Sequence, residues 1–322
     1  MKIMDLVYGK EEINEGILID LINSKPLQRL KDISQLGIPD EYSHVKGFSR
    51  YDHSIGVMVL LKKLGGGLEE QVAGLLHDIS HTPFSHVIDW VLGDPTKEDY
   101  QDKIHKEFLK NSEASEVLKK YNLNVNFITN YENFKLLERD APSLCADRLD
   151  YTLRQLVGNC SGNLISKVLM DLDVKGNQIV FKNEMFAKLF GEEYMGLQVK
   201  QWAGDEMRSR YFVFSEVLKK AFQENLISLK DLNGAEKPLL KLLKESKNEF
   251  ILNSLNLLKK GFKVIPDENG ILLKKKFRHI DPEVMVNGGY FPLSKLSKDY
   301  FELIELEKLR SKETNKIKII PN

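Results

Sequence analysis

Four of the chain's seven histidines fall in two short stretches. They are Arg50-Tyr-Asp-His53-Ser-Ile-Gly56 and Gly74-Leu-Leu-His77-Asp78-Ile-Ser-His81-Thr-Pro-Phe-Ser-His86. His77 and Asp78 are adjacent, His53 lies upstream, and Asp147 follows far downstream in Asp147-Arg148-Leu149-Asp150-Tyr151. Imidazole and carboxylate donors that converge on one point suit a divalent iron, manganese, nickel, cobalt or zinc ion. Such an ion neutralises a phosphate and activates water toward it. The pattern predicts a metal-dependent phosphohydrolase. A His-Asp dipeptide alone is a common surface or capping pair. What carries the reading is its company: an apolar helix that ends on it, further histidines close by, and an aspartate at long range.

Other groups around this set could move protons. His81 is four residues after His77 and shares its face if the helix continues one more turn. His86 and Asp89 are three apart, so the carboxylate can orient the imidazole for general acid work. His105, in Asp102-Lys-Ile-His105-Lys106, reads either as a proton-moving group or as a solvated helix histidine. Tyr151 lies one helical turn after Asp147, and Arg148 could hold a phosphate oxygen. The bland readings are a Tyr151 packed in the core and an Arg148 paired with a carboxylate.

Helices must position these groups. Ile17, Leu18, Leu21 and Ile22, then Leu27, Leu30, Ile33 and Leu36, follow helical spacing, broken at Pro26 and ended by Gly37. Further helices are expected over His53–Leu64, over Leu68–Ile79, from Pro83 to Leu92, and from Pro142 to about Leu156. The texture then changes. Leu169–Val174 and Gln178–Phe181 flank Gly176-Asn177 as a β-hairpin. A helical block runs from Met185 to Leu258. Phe262–Ile265 and Ile271–Lys275 read as two strands joined by Pro266–Gly270. A last helix, Leu293 to Leu309, precedes a basic, frayed end.

The residues quoted above resemble the HD-superfamily phosphohydrolases, and within them the deoxynucleoside triphosphate triphosphohydrolases. The similarity covers roughly Val7 to Val157 and includes Leu27-Gln-Arg-Leu-Lys-Asp-Ile-Ser-Gln-Leu-Gly37. It implies that His53, His77, Asp78 and Asp147 are the metal ligands and that His81 and His86, with His105 nearby, line the active site. It further implies that Gln35 and Leu36 read a deoxyribose, that Tyr151 contacts the sugar and that Arg50 contacts phosphate or base. The fold it implies is mainly α: a helical HD core over residues 1–165 and a smaller α+β region over 166–322. Magnesium on the substrate phosphates and a homo-oligomer belong to the same expectation. The chain departs from the pattern on the nucleoside side. Lys106 stands where relatives have glutamate and Gln155 where they have aspartate. Phe214 and Glu216 align with a tyrosine and a histidine.

Composition narrows the alternatives. Lys and Arg total 47 and Asp and Glu total 47, so no net charge draws the chain to nucleic acid. The run Lys274–His279 alternates base and aromatic, and reads as a solvated face. No apolar run approaches a membrane span, and the N-terminus has no secretory pattern. Cys145 and Cys160 lack metal or disulfide spacing and read as buried thiols of a cytoplasmic protein. Two rival functions remain: a phosphomonoesterase or phosphodiesterase on another phosphate compound, and a nucleotide sensor without turnover.

Overall fold

The computed structural model describes residues 1–157, 162–273, 275–313 and 316–322; Cys160 lies outside them. The chain opens with a hairpin that the periodicity did not announce, β1 (Lys2–Asp5) and β2 (Gly9–Glu12). Asp5 Oδ1 closes its turn by accepting from the backbone of Val7 and Tyr8, at 2.8 and 3.0 Å. Two short helices follow, α1 (Gly16–Asn23) and α2 (Lys25–Arg29), split at Ser24. The predicted run to Gly37 is not one helix. After a single 3-10 turn at Leu30–Asp32 the chain extends. Gln35 N bonds Phe48 O and Arg50 N bonds Ile33 O, both at 2.9 Å. Pairing with the segment before the next helix replaces the helical bonds that residues 33–37 would otherwise make.

That next helix, α3 (Arg50–Lys63), begins at a reciprocal cap between Ser49 and Asp52. It packs against α4 (Leu68–Leu76). A Cβ on Gly74 would come within 2.4 Å of Leu61, so the two helices approach too closely for a larger residue there. His77 and Asp78 follow in the turn after α4. The helix expected from Pro83 is interrupted. Phe84 and Ser85 take positive φ values of 66° and 41°, leaving a 3-10 turn at Ser85–Val87 and one helical turn, α5 (Asp89–Leu92). Next come α6 (Tyr100–Lys110), α7 (Glu113–Lys120) and α8 (Val125–Ile128), then α9 (Ala146–Val157), which starts four residues after Pro142.

Beyond α10 (Gly162–Asp171) the hairpin of β3 (Leu172–Lys175) and β4 (Gln178–Phe181) forms on Gly176-Asn177, both at positive φ. The helical block comprises α11 (Glu184–Leu197), α12 (Asp205–Gln223), α13 (Glu236–Lys244) and α14 (Glu249–Lys260). The first strand candidate and the start of the second, Ile271 and Leu272, are one strand, β5 (Phe262–Leu272), irregular between Pro266 and Ile271; Leu273 and Lys275 are not in it, and Lys274 lies outside the described residues. After β6 (Glu283–Val286), β7 (Gly289–Pro292), α15 (Leu293–Leu296) and α16 (Lys298–Lys312), the tail is not frayed. It forms β8 (Lys316–Pro321), which pairs with β5; Ile317 and Ile319 alternate with lysines and face Val264, Pro266 and Ile271. The other sheet has the order β3-β4-β6-β7.

The core crosses residue 165. One apolar cluster joins Leu18, Val57, Leu76 and Leu153 to Phe181, Phe190, Tyr194 and Ile304. A second joins Leu36, Phe84 and Val87 to Tyr211, Phe214, Leu239 and Leu258. The fold is mainly α, an HD-type helical core with small sheets of short strands in its C-terminal region.

Glu236, at the start of α13, ties these regions together. Its carboxylate accepts from Ser34 N at 2.8 Å and Phe84 N at 3.1 Å. Burial pushes its pKa up to about 7, and the two backbone donors only partly oppose this. The folded state therefore holds this proton more tightly than the unfolded chain, where a glutamate titrates near ~4.3. The stability this supplies is full in acid and is lost as pH rises through about 7. Glu236→Gln is expected to be about 2 kcal/mol more stable than the parent at pH 8, with little difference below pH 5. Urea unfolding at the two pH values checks this; a pH-independent difference would reject burial of the ionised carboxylate as the cause.

Candidate metal centre

Three elements bring the donors together. The first turn of α3 carries His53, the turn after α4 carries His77 and Asp78, and the first turn of α9 carries Asp147. His53 Nε2 lies 2.9 Å from Asp147 Oδ1 and 3.2 Å from His77 Nε2. His77 Nε2 is 3.5 Å from Asp147 Oδ1 and 3.5 Å from Asp78 Oδ1. Asp78 Oδ2 is 3.8 Å from His53 Nε2. Ligand atoms about 2.1 Å from one cation, at right angles, stand about 3 Å apart. The spacing fits a first-row divalent ion, and the His and carboxylate donor set fits its chemistry.

Both imidazoles are turned the right way. His53 Nδ1 donates to Asp150 Oδ2 at 2.7 Å, and His77 Nδ1 donates to Gly74 O at 2.7 Å. Each bond leaves Nε2 facing the other donors. Asp150 is in turn held by Tyr8 Oη at 2.8 Å and by Arg154 Nε at 2.7 Å, while Arg154 Nη2 reaches Asp5 of the N-terminal hairpin at 2.6 Å. Asp78 is gripped by Arg50 Nη1 at 2.7 Å. Burial opposes its charge, yet Arg50, His77 and His81 hold its carboxyl well below the usual range. Burial works against charge on His77 as well, but Asp78 and Asp147 outweigh it and push His77 up to about 9.

The groups expected to move protons stand beside this cluster. His81 Nε2 lies 3.3 Å from Asp78 Oδ1; burial, then the Arg50 charge, lowers its pKa to about 3. His86 Nδ1 lies 3.2 Å from Asp89 Oδ2, and the His81 and His86 rings meet edge to face at 5.2 Å. His105 is not a solvated histidine. Ser80 Oγ and Tyr131 Oη hold its two nitrogens at 3.0 and 2.9 Å, and burial lowers its pKa to about 4.

Residues 50–154 match the profile of the HD domain, which contains all four donors. The chain belongs to the HD family. An uncharacterized Bacillus subtilis protein, YdhJ, is 35% identical over 99% of both chains. The metal-dependent phosphohydrolase cns2 of Cordyceps militaris is 39% identical over 48% of this chain and 45% of its own length. A Dictyostelium discoideum deoxynucleoside triphosphate triphosphohydrolase, a SAMHD1 homologue, is 34% identical over 28% of this chain and 20% of its own. The crystal structure of a Bacteroides thetaiotaomicron phosphohydrolase superposes over 100% of both chains with a TM-score of 0.73 at 17% identity, which shows a shared fold. Among the described residues no helix is long and apolar enough to cross a membrane.

His77, Asp78 and Asp147 line a polar chamber of about 560 Å³, with His53 buried behind them. A smaller, more apolar recess of about 100 Å³ adjoins it, walled by Leu36, Phe48, Trp202, Met207 and Tyr211. Gln35, Arg50, His86 and Tyr151 face both spaces. Gln35 Oε1 is buried without a hydrogen-bond partner among the described residues. Leu36 O accepts from Tyr211 Oη at 2.7 Å, and Tyr151 Oη meets Tyr194 Oη at 2.8 Å. Two guanidiniums on the substrate side are already engaged. Beyond Asp78, Arg50 bonds Ser85 Oγ and Gln35 O. Arg148 bonds Arg139 O, Ser143 O, Cys145 Sγ and Glu138 Oε1.

Some residues around the centre carry no role in the sequence pattern. Asp150 was visible in its motif, three residues after Asp147, and that spacing is the signal that could have flagged it. Phe214 and Glu216 are not at the chamber: Phe214 is fully buried in the second core cluster, and Glu216 pairs with Lys219 at 2.8 Å. The face of α12 that reaches the recess carries Met207, Arg208 and Tyr211 instead. Glu98 gave no sequence signal at all; it is a loop residue at a positive φ of 53°. The basic run at 275–279 is not a free solvated face, since Lys276, Phe277, Arg278 and His279 line the chamber.

Proposed function

We propose that this HD protein hydrolyses phosphate bonds of nucleotides with a divalent transition metal, and that a deoxynucleoside triphosphate is the substrate to test first. The observation that carries the reading is the convergence of His53, His77 and Asp147, with Asp78 beside His77, next to a polar chamber that adjoins an aromatic recess. The four residues would hold iron, manganese, nickel, cobalt or zinc, with magnesium on the substrate phosphates. The ion supplies charge neutralisation and an activated water. Arg50 keeps Asp78 ionised and aimed. His86, oriented by Asp89, stands ready to protonate the leaving oxygen, and Tyr131 and Ser80 fix His105 beside it. Gln35 and Leu36 face the sugar, and Tyr151 bounds it. The partial similarity to a triphosphohydrolase supports a nucleotide substrate. The division at residue 165 follows the same logic: residues 1–165 supply the donors and part of the wall, and 166–322 supply the rest of the wall. A cytoplasmic homo-oligomer belongs to the same proposal.

A phosphomonoesterase is the second reading. It is favoured by the engagement of Arg50 and Arg148 with protein partners, which leaves fewer free cations for a triphosphate. A matrix of metals (Mn, Fe, Co, Ni, Zn, Mg) against dNTPs, NTPs, nucleoside monophosphates and a simple phosphodiester separates the readings. Tripolyphosphate released from a dNTP is the expected product. Inorganic phosphate from monophosphates alone would select the second reading, and no turnover with any pair would reject both.

A further inference from the structure

Among the described residues, one guanidinium of the chamber comes from outside the HD domain, and two of its three nitrogens have no acceptor. Arg278 lies between β5 and β6 and faces both the chamber and the recess. Among the described residues its one hydrogen bond runs from Nη2 to Glu98 Oε2. Its side chain keeps 27% of its accessible surface while that of Glu98 keeps 2%. Nε and Nη1 of Arg278 therefore have no acceptor among the described residues and stand open to the cavity.

Glu98 is built to aim that side chain. Its other oxygen accepts from Arg208 Nη1 at 2.9 Å. Arg208 is itself fixed by Pro95 O at 3.3 Å and by stacking on Trp90 and Tyr211. Burial opposes the Glu98 charge, but Arg278, His86 and Arg208 hold the carboxyl far down in the acid range. One carboxylate thus sits between two guanidiniums. The pair Glu98–Arg208 is neutral in sum, which leaves the charge of Arg278 for something in the cavity. Lys276, two residues earlier, lines the same wall and donates to Lys97 O at 2.5 Å, adding a second cation. Among the described residues Arg50 makes a bond from each of its three nitrogens and Arg148 from both Nη1 and Nη2, whereas Arg278 uses Nη2 alone.

We propose that Arg278 binds a phosphate oxygen of the substrate and that Glu98 is its positioning residue. The proposal rests on the reading of the chamber as a site for phosphate compounds. A guanidinium with an open edge presents paired donors to phosphate in a planar fork, which a lysine reproduces only as a point charge.

Calorimetric binding of inorganic phosphate and of deoxyadenosine to the metal-loaded protein tests it, with melting temperature and metal content recorded for each variant. Arg278→Gln keeps a donor for Glu98 and loses the charge. It is expected to weaken phosphate binding about 30-fold, the worth of charge-assisted hydrogen bonds, with deoxyadenosine binding and metal content unchanged. Arg278→Lys is expected to recover most of that loss, to within about 3-fold of the parent. Phosphate affinity unchanged in both variants would overturn the proposal, as would equal losses of phosphate and deoxyadenosine binding together with a lowered melting temperature, the mark of a purely structural tie. Arg278-dependent phosphate binding in a protein that turns over no nucleotide would support the proposal while rejecting the hydrolase reading.

Discussion

The His77→Ala protein is expected to purify without its transition metal and to lose about a thousandfold or more in kcat/KM. His77 is the ligand whose removal reads most cleanly. His53 is fully buried and anchors Asp150, so its truncation would break the Asp150–Arg154–Asp5 network as well as the metal site. Asp78 holds Arg50, and Asp147 sits at the base of α9. His77 gives up its bond to Gly74 O and its contacts with His53, Asp78 and Asp147, at the wall of a chamber that water can fill. The fold should survive, because Arg50 still pairs with Asp78 and His53 with Asp147, and the expected loss of stability is about 1–3 kcal/mol. Metal analysis by atomic emission, turnover with the best metal and substrate pair, and a thermal melt together decide the matter. Full metal content with undiminished turnover would remove His77, and with it the proposed centre, from the mechanism.

The donor set was legible because it combines short-range pairs with a motif each. His77-Asp78 sits at the end of an apolar helix, and Asp147-Arg148-Leu149-Asp150-Tyr151 opens another. Helical periodicity also located α3, α4 and α9 to within a few residues. What escaped was set by contacts distant in sequence. The extended path of residues 33–37 follows from pairing with Phe48 and Arg50. The β5–β8 pair joins segments more than forty residues apart, and no local pattern states which strand a basic tail will meet. Glu98 and Arg278 meet across 180 positions, so neither residue type nor spacing announces the pair. The substrate-facing walls are assembled from three parts of the chain in this way, and they are where the sequence said least. The metal donors lie on helices or in the turn that ends one; the walls lie on loops and on a helix face whose orientation depends on packing elsewhere.

Gly56→Ala is expected to cost about 3–5 kcal/mol of stability, although alanine is the better helix former by about 1 kcal/mol. Gly56 lies one turn after His53 on α3. A Cβ there would sit 1.8 Å from Arg154 Nη2 and 2.0 Å from Asp150 Oδ1. No side-chain rotation clears both atoms, because Asp150 is held by His53 and Tyr8, and Arg154 by Asp5. Displacing them separates a buried carboxylate from a buried guanidinium and frees the His53 ring to turn. Metal affinity should therefore fall about 10- to 100-fold in whatever fraction still folds. Gly196 on α11 supplies the control, since a Cβ there meets nothing within 4 Å. Gly196→Ala should be neutral or more stable by up to about 1 kcal/mol. Urea unfolding of the two variants checks the argument: equal effects would mean that helix propensity, not the close approach of α3 to α9, governs both sites. A large loss at Gly56 alone would tie the glycine of the His53 motif to the hydrogen bond that aims the histidine.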